Sequence, residues 1–391
     1  MATHRGVKPL KIMLTGGGTG GHITPLIAVA EELKSIRPEA FIVCVGERGG
    51  KFAHLTAQIP CIDQNKTIFA GKFRRYHGES WIQKLMDVGT NLLNARDAIL
   101  VCVGILQSIV LMRRVNPSVV FLKGGFVGVP IGLAAAFWRI PIVTHDSDAL
   151  PGLANRIISR WAKIHATGMP AEFYKYPKDK VRHVGVLVGK NYKPVSDGQR
   201  IAFRRELGFP EKGRLLFITG GSLGSQRLNA AVQGWMQEIL TLHPDLTVVH
   251  QVGKGNGELY GSFTHDRLHV LEFLDGMHRY SGAADLIVTR AGANTIAEFG
   301  VQGKACIVVP SPFLAGGHQL KNGDFLTKSH AALVIDEAKI VADPSILSEA
   351  VEGLLDNPIA RVKLSAQLEL LAVPDAANRL ATLLLEVTNP E

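Results

Sequence analysis

The chain contains 391 residues, a length that favours two domains over one. Hydrophobic residues make up 46% and charged residues 20% of the sequence, which excludes a largely disordered chain and predicts a sizeable packed core. The net charge of +9 favours anionic partners such as nucleotide diphosphates, lipid phosphates or nucleic acid, although an ordinary solvated basic surface explains it equally well.

The cysteines and the N-terminal residues indicate a reducing compartment. None of Cys44, Cys61, Cys102 and Cys306 forms a C-x-x-C pair. Cys44, Cys102 and Cys306 lie in apolar runs, where thiols are expected in the core rather than as ligands. The first ten residues have no apolar signal core, so secretion is not indicated and a cytoplasmic protein is expected.

The first predicted elements are a buried strand at residues 10–14, a glycine-rich turn at residues 16–21 and a helix that starts near His22. In α/β proteins such a turn holds a diphosphate, because glycine lets the backbone approach closely and the helix N–H groups face the anion. A phosphate site needs no titratable ring, so His22 suggests catalysis at the rim of this turn.

The same turn also fits a dinucleotide-binding motif. Gly16, Gly18 and Gly21 match G-x-G-x-x-G. Glu47 follows a predicted strand at residues 41–45, where a nicotinamide enzyme places its ribose-binding acid. Taken alone, the turn leaves a nicotinamide oxidoreductase and other anion sites equally open.

An apolar segment at residues 98–112 raises the question of a membrane span. Its length is below the roughly twenty residues that cross a bilayer, so a buried helix is the simpler interpretation. However, an apolar surface with basic borders is also suited to rest on an anionic membrane without crossing it. The basic residues on either side of the segment are Lys72, Arg74, Arg75, Lys84, Arg96, Arg113 and Arg114.

The opening pattern recurs near the middle of the chain. Residues 214–226 again combine an apolar strand, a glycine turn and a helix start. Around both turns apolar strands alternate with helical stretches, which predicts parallel sheets covered on both faces. The predicted strands are residues 10–14, 41–45, 119–122, 140–143 and 164–167, then 215–219, 246–251, 269–271, 286–289 and 305–309.

The predicted fold class is therefore α/β, with two doubly wound, Rossmann-like parallel-sheet domains that face a cleft. The domain boundary is expected in the polar stretch at residues 189–199, and two helices near residues 344–355 and 358–385 end the chain. A dehydrogenase usually combines one cofactor domain with a dissimilar partner domain. The repeated pattern instead suits two substrates that meet in the cleft, and so favours group transfer.

Two further groups of residues in the first half carry possible chemistry. Residues 124–130 form a second glycine-lined helix start, with a plain tight turn as the alternative. His145 and Asp146 follow a predicted strand, where they are placed for acid–base work. Asp146 and Asp148 also form D-x-D, a motif that holds a divalent metal in some sugar transferases. Capping of the next helix by Asp148 or Ser147 is the simpler interpretation.

In the second half, small residues at positions 291–293 open a helix and predict another anion-facing turn. Glu298 lies two turns into this helix. A carboxylate at that position is able to accept from both hydroxyls of a ribose, although a surface acid is the simpler interpretation.

Together these motifs resemble those of the peptidoglycan N-acetylglucosaminyltransferase (MurG) family, from about residue 11 to residue 385. The resemblance implies two Rossmann-like domains in the GT-B arrangement. It also implies an enzyme that moves N-acetylglucosamine from its uridine diphosphate donor to a lipid-diphosphate-linked muramoyl peptide. The matching segments are GGTGGH-x-x-P at 17–25, GGFVGVP at 124–130, GGSLGS at 220–225, FLDGM at 273–277, AGANT at 291–295 with Glu298, and HQ-x-x-N at 318–322.

The resemblance also implies roles for domains and residues. Residues 1–190 would bind the acceptor and face the membrane, and residues 191–391 would bind the UDP-sugar, with the terminal helices as candidates to cross back. The implied acceptor-binding residues are Thr19, Gly20, Gly21, Gly124, Gly125, His145 and Asn155. The implied donor-binding residues are Gly17, Lys190, Ser222, Phe273, Leu274, Ala293, Thr295, Glu298, Gln319 and Asn322.

His22 is the first candidate for the catalytic base of an inverting transfer, and Asp146 is the second, with orientation of the acceptor as its other role. Helix N-terminal amides at Ser222 and Ala293 would stabilise the leaving diphosphate, so the motifs require no metal or other cofactor.

Two segments depart from the family pattern. The family usually has His-Glu-Gln-Asn where this chain has His-Asp-Ser-Asp at residues 145–148. It usually has Gly-Asn-Pro-Val-Arg where this chain has Gly-Val-Leu-Val-Gly at residues 185–189. The missing arginine normally helps to hold the donor diphosphate. Lys190 is a candidate replacement, but its ammonium group is a point charge and not a fork.

The expected activity is the conversion of lipid I to lipid II, at the cytoplasmic face of the plasma membrane, by a peripheral enzyme. The expected partners are UDP-GlcNAc, the lipid-linked acceptor and an anionic membrane surface, and not nucleic acid. Other possibilities are a transferase for another lipid such as diacylglycerol or a polyprenyl sugar, a nucleotide-sugar epimerase, a nicotinamide oxidoreductase, and a UDP-sugar binder without catalysis.

Overall fold

The structure is a computed structural model that describes residues 10–17, 20–50, 59–72, 87–221, 224–313 and 315–388. The chain divides into two compact units. Unit 1 comprises residues 1–189 together with 375–391, and unit 2 comprises residues 190–374. Each unit contains one parallel sheet with helices on its faces, so the predicted fold class of two doubly wound α/β domains is confirmed.

The sheet of unit 1 has the strand order β3-β2-β1-β4-β5-β6-β7, with every neighbouring pair parallel. Its middle strands are almost wholly buried, as expected of a parallel sheet covered on both faces. The strands are β1 (Lys11–Thr15), β2 (Phe41–Glu47), β3 (Gln64–Ile68), β4 (Val119–Leu122), β5 (Ile142–Asp146), β6 (Ile164–Thr167) and β7 (Val181–His183).

Helices connect these strands. They are α1 (Gly20–Ile36), α2 (Val88–Val115), α3 (Gly128–Phe137) and α4 (Leu153–Ile158). The longest, α2, has clear end signals: the Asp87 carboxylate accepts from the Thr90 N–H at 3.0 Å, and Asn116 ends the helix in the left-handed region. Met112 and Val115 of α2 pack with the sheet and with α3 in one apolar core.

The sheet of unit 2 has the order β10-β9-β8-β11-β12-β13, again parallel throughout. Both orders reverse direction next to their first strand, and the carboxyl ends of the strands at such a switch point are the usual ligand site of an open α/β sheet. The strands are β8 (Arg214–Thr219), β9 (Leu246–Gln251), β10 (Leu268–Leu271), β11 (Leu286–Thr289), β12 (Cys306–Val308) and β13 (Leu333–Val334).

Helices cover both faces of this second sheet. One apolar core includes Trp235 and Val351, and another includes Phe299 and Leu368. The helices are α5 (Asp197–Glu206), α6 (Gln226–Leu242), α7 (Met277–Ala283), α8 (Ala293–Val301), α9 (His318–Lys328), α10 (Glu337–Ala342), α11 (Ser345–Leu355) and α12 (Pro358–Leu371).

The chain ends with a helix that belongs to unit 1. The sequence predicts one helix over residues 358–385, but residues 372–375 separate α12 from α13 (Ala376–Thr388). Pro374 lies in this break, and the residue before a proline is disfavoured in a helix. Helix α13 packs against α1, with Asn378 donating to the Glu32 carboxylate at 3.0 Å.

The prediction that Cys102 is a core thiol is wrong, and so is the buried-helix interpretation of residues 98–112. Cys44 and Cys306 are buried, but Cys102 is exposed on α2. The apolar run is part of a 28-residue helix. Within the described ranges, α2 is long and apolar enough to cross a membrane by length and composition alone, and only 22% of its most apolar 18-residue stretch is buried.

Candidate functional site

The first two glycine turns of the sequence pack directly against each other at the carboxyl edge of the unit 1 sheet. The Lys123 N–H donates to the Thr15 carbonyl at 2.9 Å, which joins the ends of β4 and β1. A Cβ on Gly17 would meet the Val127 side chain at 2.5 Å. Gly125 has a φ of +80°, and a Cβ there would collide with the Gly17 carbonyl. Both positions therefore require glycine, and both belong to one backbone surface.

A buried lysine lies beside these turns. Lys123 is 4% exposed, and its ammonium group donates to the Ser147 hydroxyl at 2.7 Å. Burial lowers the pKa of Lys123 to about 8, against the opposing effect of the Asp148 and Asp146 carboxylates. Ser147 and Asp148 are two of the positions at which the sequence departs from the family pattern, so the departure lies in direct contact with this lysine.

The Asp146 carboxylate is fully engaged within unit 1. Its Oδ1 accepts from the Gly152 N–H at 3.0 Å and from the Asn155 amide at 2.9 Å, and its Oδ2 accepts from the Tyr176 hydroxyl at 2.9 Å. Burial raises its pKa, and these hydrogen bonds lower it. Asn155 also donates to the His145 carbonyl at 2.9 Å, so the same amide joins both residues. Because both of its oxygens already accept hydrogen bonds, Asp146 is suited to orient neighbouring groups.

The helix-capping interpretation of Ser147 and Asp148 is wrong. Helix α4 begins after Gly152, with no side-chain cap, and the side chain that bonds the Gly152 N–H is that of Asp146. The described residues contain no group of three or more histidine, cysteine and acidic side chains placed to hold a metal.

His145 is also committed to the protein interior. The ring is wholly buried, and its Nε2 lies 2.9 Å from the Gly185 carbonyl. A carbonyl only accepts, so Nε2 carries the proton and Nδ1, which has no partner among the described atoms, does not. Burial, assisted by the charge of Lys123, lowers the pKa of His145 well below its usual range. His145 thus fixes the segment at Gly185, where the second departure from the family pattern begins.

Gly20, Gly21 and His22 lie in the first turn of α1. Thr19, Ser222 and the side chain of His22 lie outside the described residues.

The third glycine turn follows β8 in unit 2. Gly221 and Gly224 have φ values of +86° and +72°, and the Gly224 N–H donates to the Gly221 carbonyl at 2.8 Å. A Cβ on Gly224 would collide with the Val252 carbonyl. The Thr219 hydroxyl accepts from the Gly221 N–H at 3.0 Å and donates to Gln251 at 2.6 Å, which anchors the turn to two neighbouring strands.

Arg290 links this turn to the next one, and sequence reasoning did not select it. It follows β11, and its guanidinium donates to the Ser225 hydroxyl, to the Val309 carbonyl at 3.1 Å and to the Glu337 carboxylate. Glu337 is 2% exposed and also pairs with Arg227 at 3.3 Å. The only sequence signal was an arginine directly before a small-residue turn.

Helix α8 begins at the same edge after Gly292 and has no side-chain cap, as suits a helix start that faces an anion. Ala293 and Thr295 lie in its first turn, and Glu298 follows. The surrounding protein raises the pKa of Glu298 to about 8, and a hydrogen bond from the Tyr192 hydroxyl opposes this shift. Above that pH the ionised carboxylate accepts hydrogen bonds, so a ligand that donates to Glu298 favours the ionised form.

Gln319 and Asn322 of α9 hold two of the loops at this edge through hydrogen bonds. Gln319 accepts from the Ser311 N–H at 2.9 Å, and Asn322 donates to the Ala291 carbonyl at 2.9 Å. Both are buried. The structure therefore brings the third glycine turn, the start of α8 and the start of α9 to one edge of the unit 2 sheet.

The remaining predicted donor residues differ in exposure. Phe273 is 72% exposed, whereas Leu274 packs against the core. Lys190, the first residue of unit 2, is exposed. Val186 and Leu187, which replace the asparagine and the proline of the family pattern, are buried, and so is Val188.

Comparisons with known proteins match both units. The model for the glycosyltransferase family 28 N-terminal domain matches residues 12–167, and that for its C-terminal domain matches residues 215–380. The UDP-N-acetylglucosamine–N-acetylmuramyl-(pentapeptide) pyrophosphoryl-undecaprenol N-acetylglucosamine transferase of Salinibacter ruber is 33% identical over 95% of each chain.

Two solved structures share the fold. Acinetobacter baumannii MurG has a TM-score of 0.71 and 24% identity, and covers 97% of this chain and 100% of its own. The UDP-GlcNAc 2-epimerase of Neisseria meningitidis has a TM-score of 0.62 and 12% identity, with 96% and 100% covered. Fold alone therefore does not separate transferase from epimerase.

The two sheets with their glycine turns and the two matching domains define a family 28 glycosyltransferase of the GT-B class. Because the similarity to curated relatives extends over nearly the full length, the chain belongs to the MurG family of N-acetylglucosamine transferases. The interpretation of the first turn as a nicotinamide site is set aside.

Proposed function

We propose that this protein transfers N-acetylglucosamine from UDP-GlcNAc to an undecaprenyl-diphosphate-linked muramoyl peptide, which converts lipid I to lipid II. The observation that carries the proposal is the 33% identity, over 95% of both chains, to a relative with that activity in its name. The alternative is a related transferase for a different lipid. The Lys123–Ser147 contact favours it, because this contact involves a departure from the family pattern.

Unit 2 is the proposed donor unit. The positive end of α8 and the close backbone approach that the glycines of the third turn allow suit the two phosphates of UDP. Arg290 positions this turn through its hydrogen bond to Ser225 and is itself held by its ion pair with Glu337. Glu298 is proposed to accept from the ribose hydroxyls, Gln319 to contact the sugar, and the segment at Phe273 to contact the uracil.

Unit 1 is the proposed acceptor unit. In the reaction a base removes the proton from the acceptor hydroxyl, whose oxygen then bonds to the anomeric carbon as the bond from that carbon to UDP breaks. His22 is the proposed base, since a neutral imidazole has a pKa suited to cytoplasmic pH. Asp146 is proposed to orient the acceptor side, because both of its oxygens already accept hydrogen bonds from the protein.

Helix α2 is the proposed membrane-facing element, as a peripheral contact at the cytoplasmic face of the plasma membrane. A continuous stripe of apolar side chains is exposed along it, at the helical spacing of three or four residues. These stripe residues are Ile99, Val103, Leu106 and Val110. Trp138 extends the apolar surface: it follows α3, is 41% exposed and donates to the Ile109 carbonyl. Tryptophan is enriched at membrane interfaces.

The test is transfer of radiolabelled sugar from UDP-GlcNAc into butanol-extractable lipid. Two acceptors are compared, the muramoyl-peptide diphosphate lipid and diacylglycerol. Label that enters only the first acceptor supports the proposal. Label that enters only the second supports the alternative lipid transferase. Tight UDP binding with no transfer to either acceptor contradicts both and leaves a nucleotide binder.

A further inference from the structure

A cavity of about 570 Å³ lies at the amino edge of the unit 1 sheet, opposite to the glycine turns. It is bordered by the first residues of β1, β2 and β3 and by the last turn of α2. Its volume is within the range of small-molecule sites. The lining residues are Lys11, Phe41, Gln64, Lys66, Leu111, Arg114 and Val115.

The cavity combines an apolar floor with a basic rim. Phe41, Leu111 and Val115 belong to the core beneath the sheet. Gln64 and Lys66 alternate along β3 with exposed residues, and share a face with the buried Ile68, so both point toward α2.

No acidic side chain neutralises this rim within the described ranges. Lys11, Lys66 and Arg114 form no ion pair there. The nearby Asp63 carboxylate is already paired with Lys34 at 2.8 Å and accepts from the Ile42 N–H at 2.7 Å. Among the described residues, three cations around one cavity therefore have no acidic partner, which suits an anionic ligand.

The cavity continues the apolar stripe of α2. Arg114 lies four residues beyond Val110, which places it on the same face one turn further along the helix. A bilayer in contact with Leu106 and Val110 would therefore present its headgroups near Arg114. Basic pockets that adjoin membrane-embedded surfaces are a recognised way to hold acidic lipid headgroups.

We propose that this cavity binds the phosphate headgroup of an anionic phospholipid in the membrane on which α2 rests. The proposal rests on the proposed membrane contact of α2 and adds a defined headgroup site to it. The two lysines and Arg114 would hold the phosphate, Gln64 would bond to the glycerol, and the floor would cover the first carbons of the acyl chains.

The test compares flotation with vesicles of phosphatidylcholine alone and vesicles that are one-third phosphatidylglycerol. The pocket variant carries Lys11→Gln, Lys66→Gln and Arg114→Gln. The matched control carries Lys163→Gln, Lys175→Gln and Lys178→Gln, which removes the same charge from exposed positions near the other lateral edge of the sheet. UDP binding and the melting temperature confirm that each variant is folded.

We expect the pocket variant to lose at least tenfold in partition to anionic vesicles and the control to lose less than about threefold, because attraction to a charged surface falls off within a Debye length and the control lysines lie at the other lateral edge of the sheet. Equal losses in both variants would overturn the site. Full competition by inorganic phosphate, at an ionic strength matched with chloride, would assign the cavity to a free anion instead.

A third variant separates the proposed lipid site from the proposed membrane contact of α2, on which it rests. Ile99→Ser with Leu106→Ser removes the stripe and leaves the cavity intact. If the stripe variant loses binding and the pocket variant does not, α2 contacts the membrane but the cavity is no lipid site. If neither the stripe variant nor the pocket variant loses binding, both the membrane contact and the lipid site are wrong.

Discussion

The ammonium group of Lys123 donates to the hydroxyl of Ser147 at 2.7 Å, across the carboxyl ends of two neighbouring strands, β4 and β5. The contact joins the second glycine turn to the segment at residues 145–148. We expect Lys123→Met to raise the acceptor KM about tenfold with the UDP-GlcNAc KM unchanged, because Ser147 loses its partner and the segment shifts. Initial rates with each substrate varied separately measure this. An equal rise in both KM values would show a general loss of structure instead.

The same lysine predicts a pH dependence of stability. Burial holds its folded pKa at about 8, below the ordinary value of 10.5. Between these pH values the unfolded chain binds more protons, so this group makes the free energy of unfolding rise with pH from about 8 to about 10.5. Lys123→Met should lack that rise. Urea unfolding at several pH values checks it, and identical slopes for wild type and variant would contradict the assignment.

Arg290 and Glu337 form a buried pair that supports the donor turn. Arg290→Met leaves the Glu337 carboxylate with Arg227 alone, and we expect a loss of about 3 kcal/mol in stability together with at least tenfold weaker UDP binding. Adding Glu337→Leu should restore most of the stability but not the affinity, because Ser225 still lacks its donor. Calorimetric titration with UDP and thermal unfolding measure the two effects.

The control for that pair is Arg205→Met. Arg205 bonds Glu211 on the surface at 2.9 Å, and because an exposed ion pair contributes little to stability, this variant should leave both stability and UDP affinity nearly unchanged. If the double variant at positions 290 and 337 binds UDP as wild type does, Arg290 does not position the donor turn.

Glu298 predicts a pH dependence of nucleotide binding. Its pKa of about 8 means that the ionised carboxylate, the better acceptor for ribose hydroxyls, becomes dominant only above that pH. We expect UDP affinity to rise with pH through about 8 in wild type and to be lower and nearly flat in Glu298→Gln. Titration with UDP at one-unit pH steps from about pH 6 to about pH 9 checks this. The control ligand is 2′,3′-dideoxy-UDP, which lacks the ribose hydroxyls and should show no such pH dependence.

The ligand-free stability of the same variant provides an independent check. A raised folded pKa means that the folded protein binds more protons between pH 4.5 and about 8, so the wild-type free energy of unfolding falls as pH rises through that window. The glutamine has no charge to bury. Glu298→Gln should therefore equal or exceed wild type in melting temperature at neutral pH, and a clearly lower value would count against the assigned titration.

The apolar stripe of α2 predicts a membrane effect without a stability effect. Ile99 and Leu106 are 65% and 66% exposed, so Ile99→Ser with Leu106→Ser should change stability by only about 0.5 kcal/mol. Each side chain buried in lipid contributes about 1.5 kcal/mol or more, so partition to vesicles should fall more than tenfold. Leu370→Ser, at an exposed position of unit 2, is the control. Equal partition of all three proteins would remove α2 as the membrane contact.

His22→Ala tests the proposed base. General-base catalysis typically contributes about 10²–10⁴-fold, so we expect kcat to fall within that range while UDP affinity stays the same. Stopped-time assays with saturating donor and acceptor measure kcat. If turnover persists at the wild-type level, another group removes the proton.

The sequence was sufficient for the fold because central parallel strands are continuous apolar runs. Strands β4, β6, β9 and β11 were predicted with the bounds observed. The edge strand β3 was missed, because its sequence QNKTI is polar at its first four positions and carries no apolar run. The break between α12 and α13 required attention to Pro374, which the apolar pattern of the flanking helices concealed.

The glycine turns were also predictable, since three of them require positive φ or a close backbone approach at the residues that the motifs identify. The role of Arg290 was not predictable from the sequence. Its partner Glu337 lies 47 residues further along the chain, and only the folded sheet brings them together. The engagement of Asp146 with Tyr176, 30 residues away, was hidden for the same reason.

The most direct test of the central claim is the proton NMR spectrum of the product formed from α-linked UDP-GlcNAc and the muramoyl-peptide diphosphate lipid. An inverting transferase predicts one new anomeric signal with the large coupling of a β-glycosidic bond, and one UDP released for each bond formed. An α-linked product, free N-acetylglucosamine or a 2-epimer of the donor sugar would contradict the account.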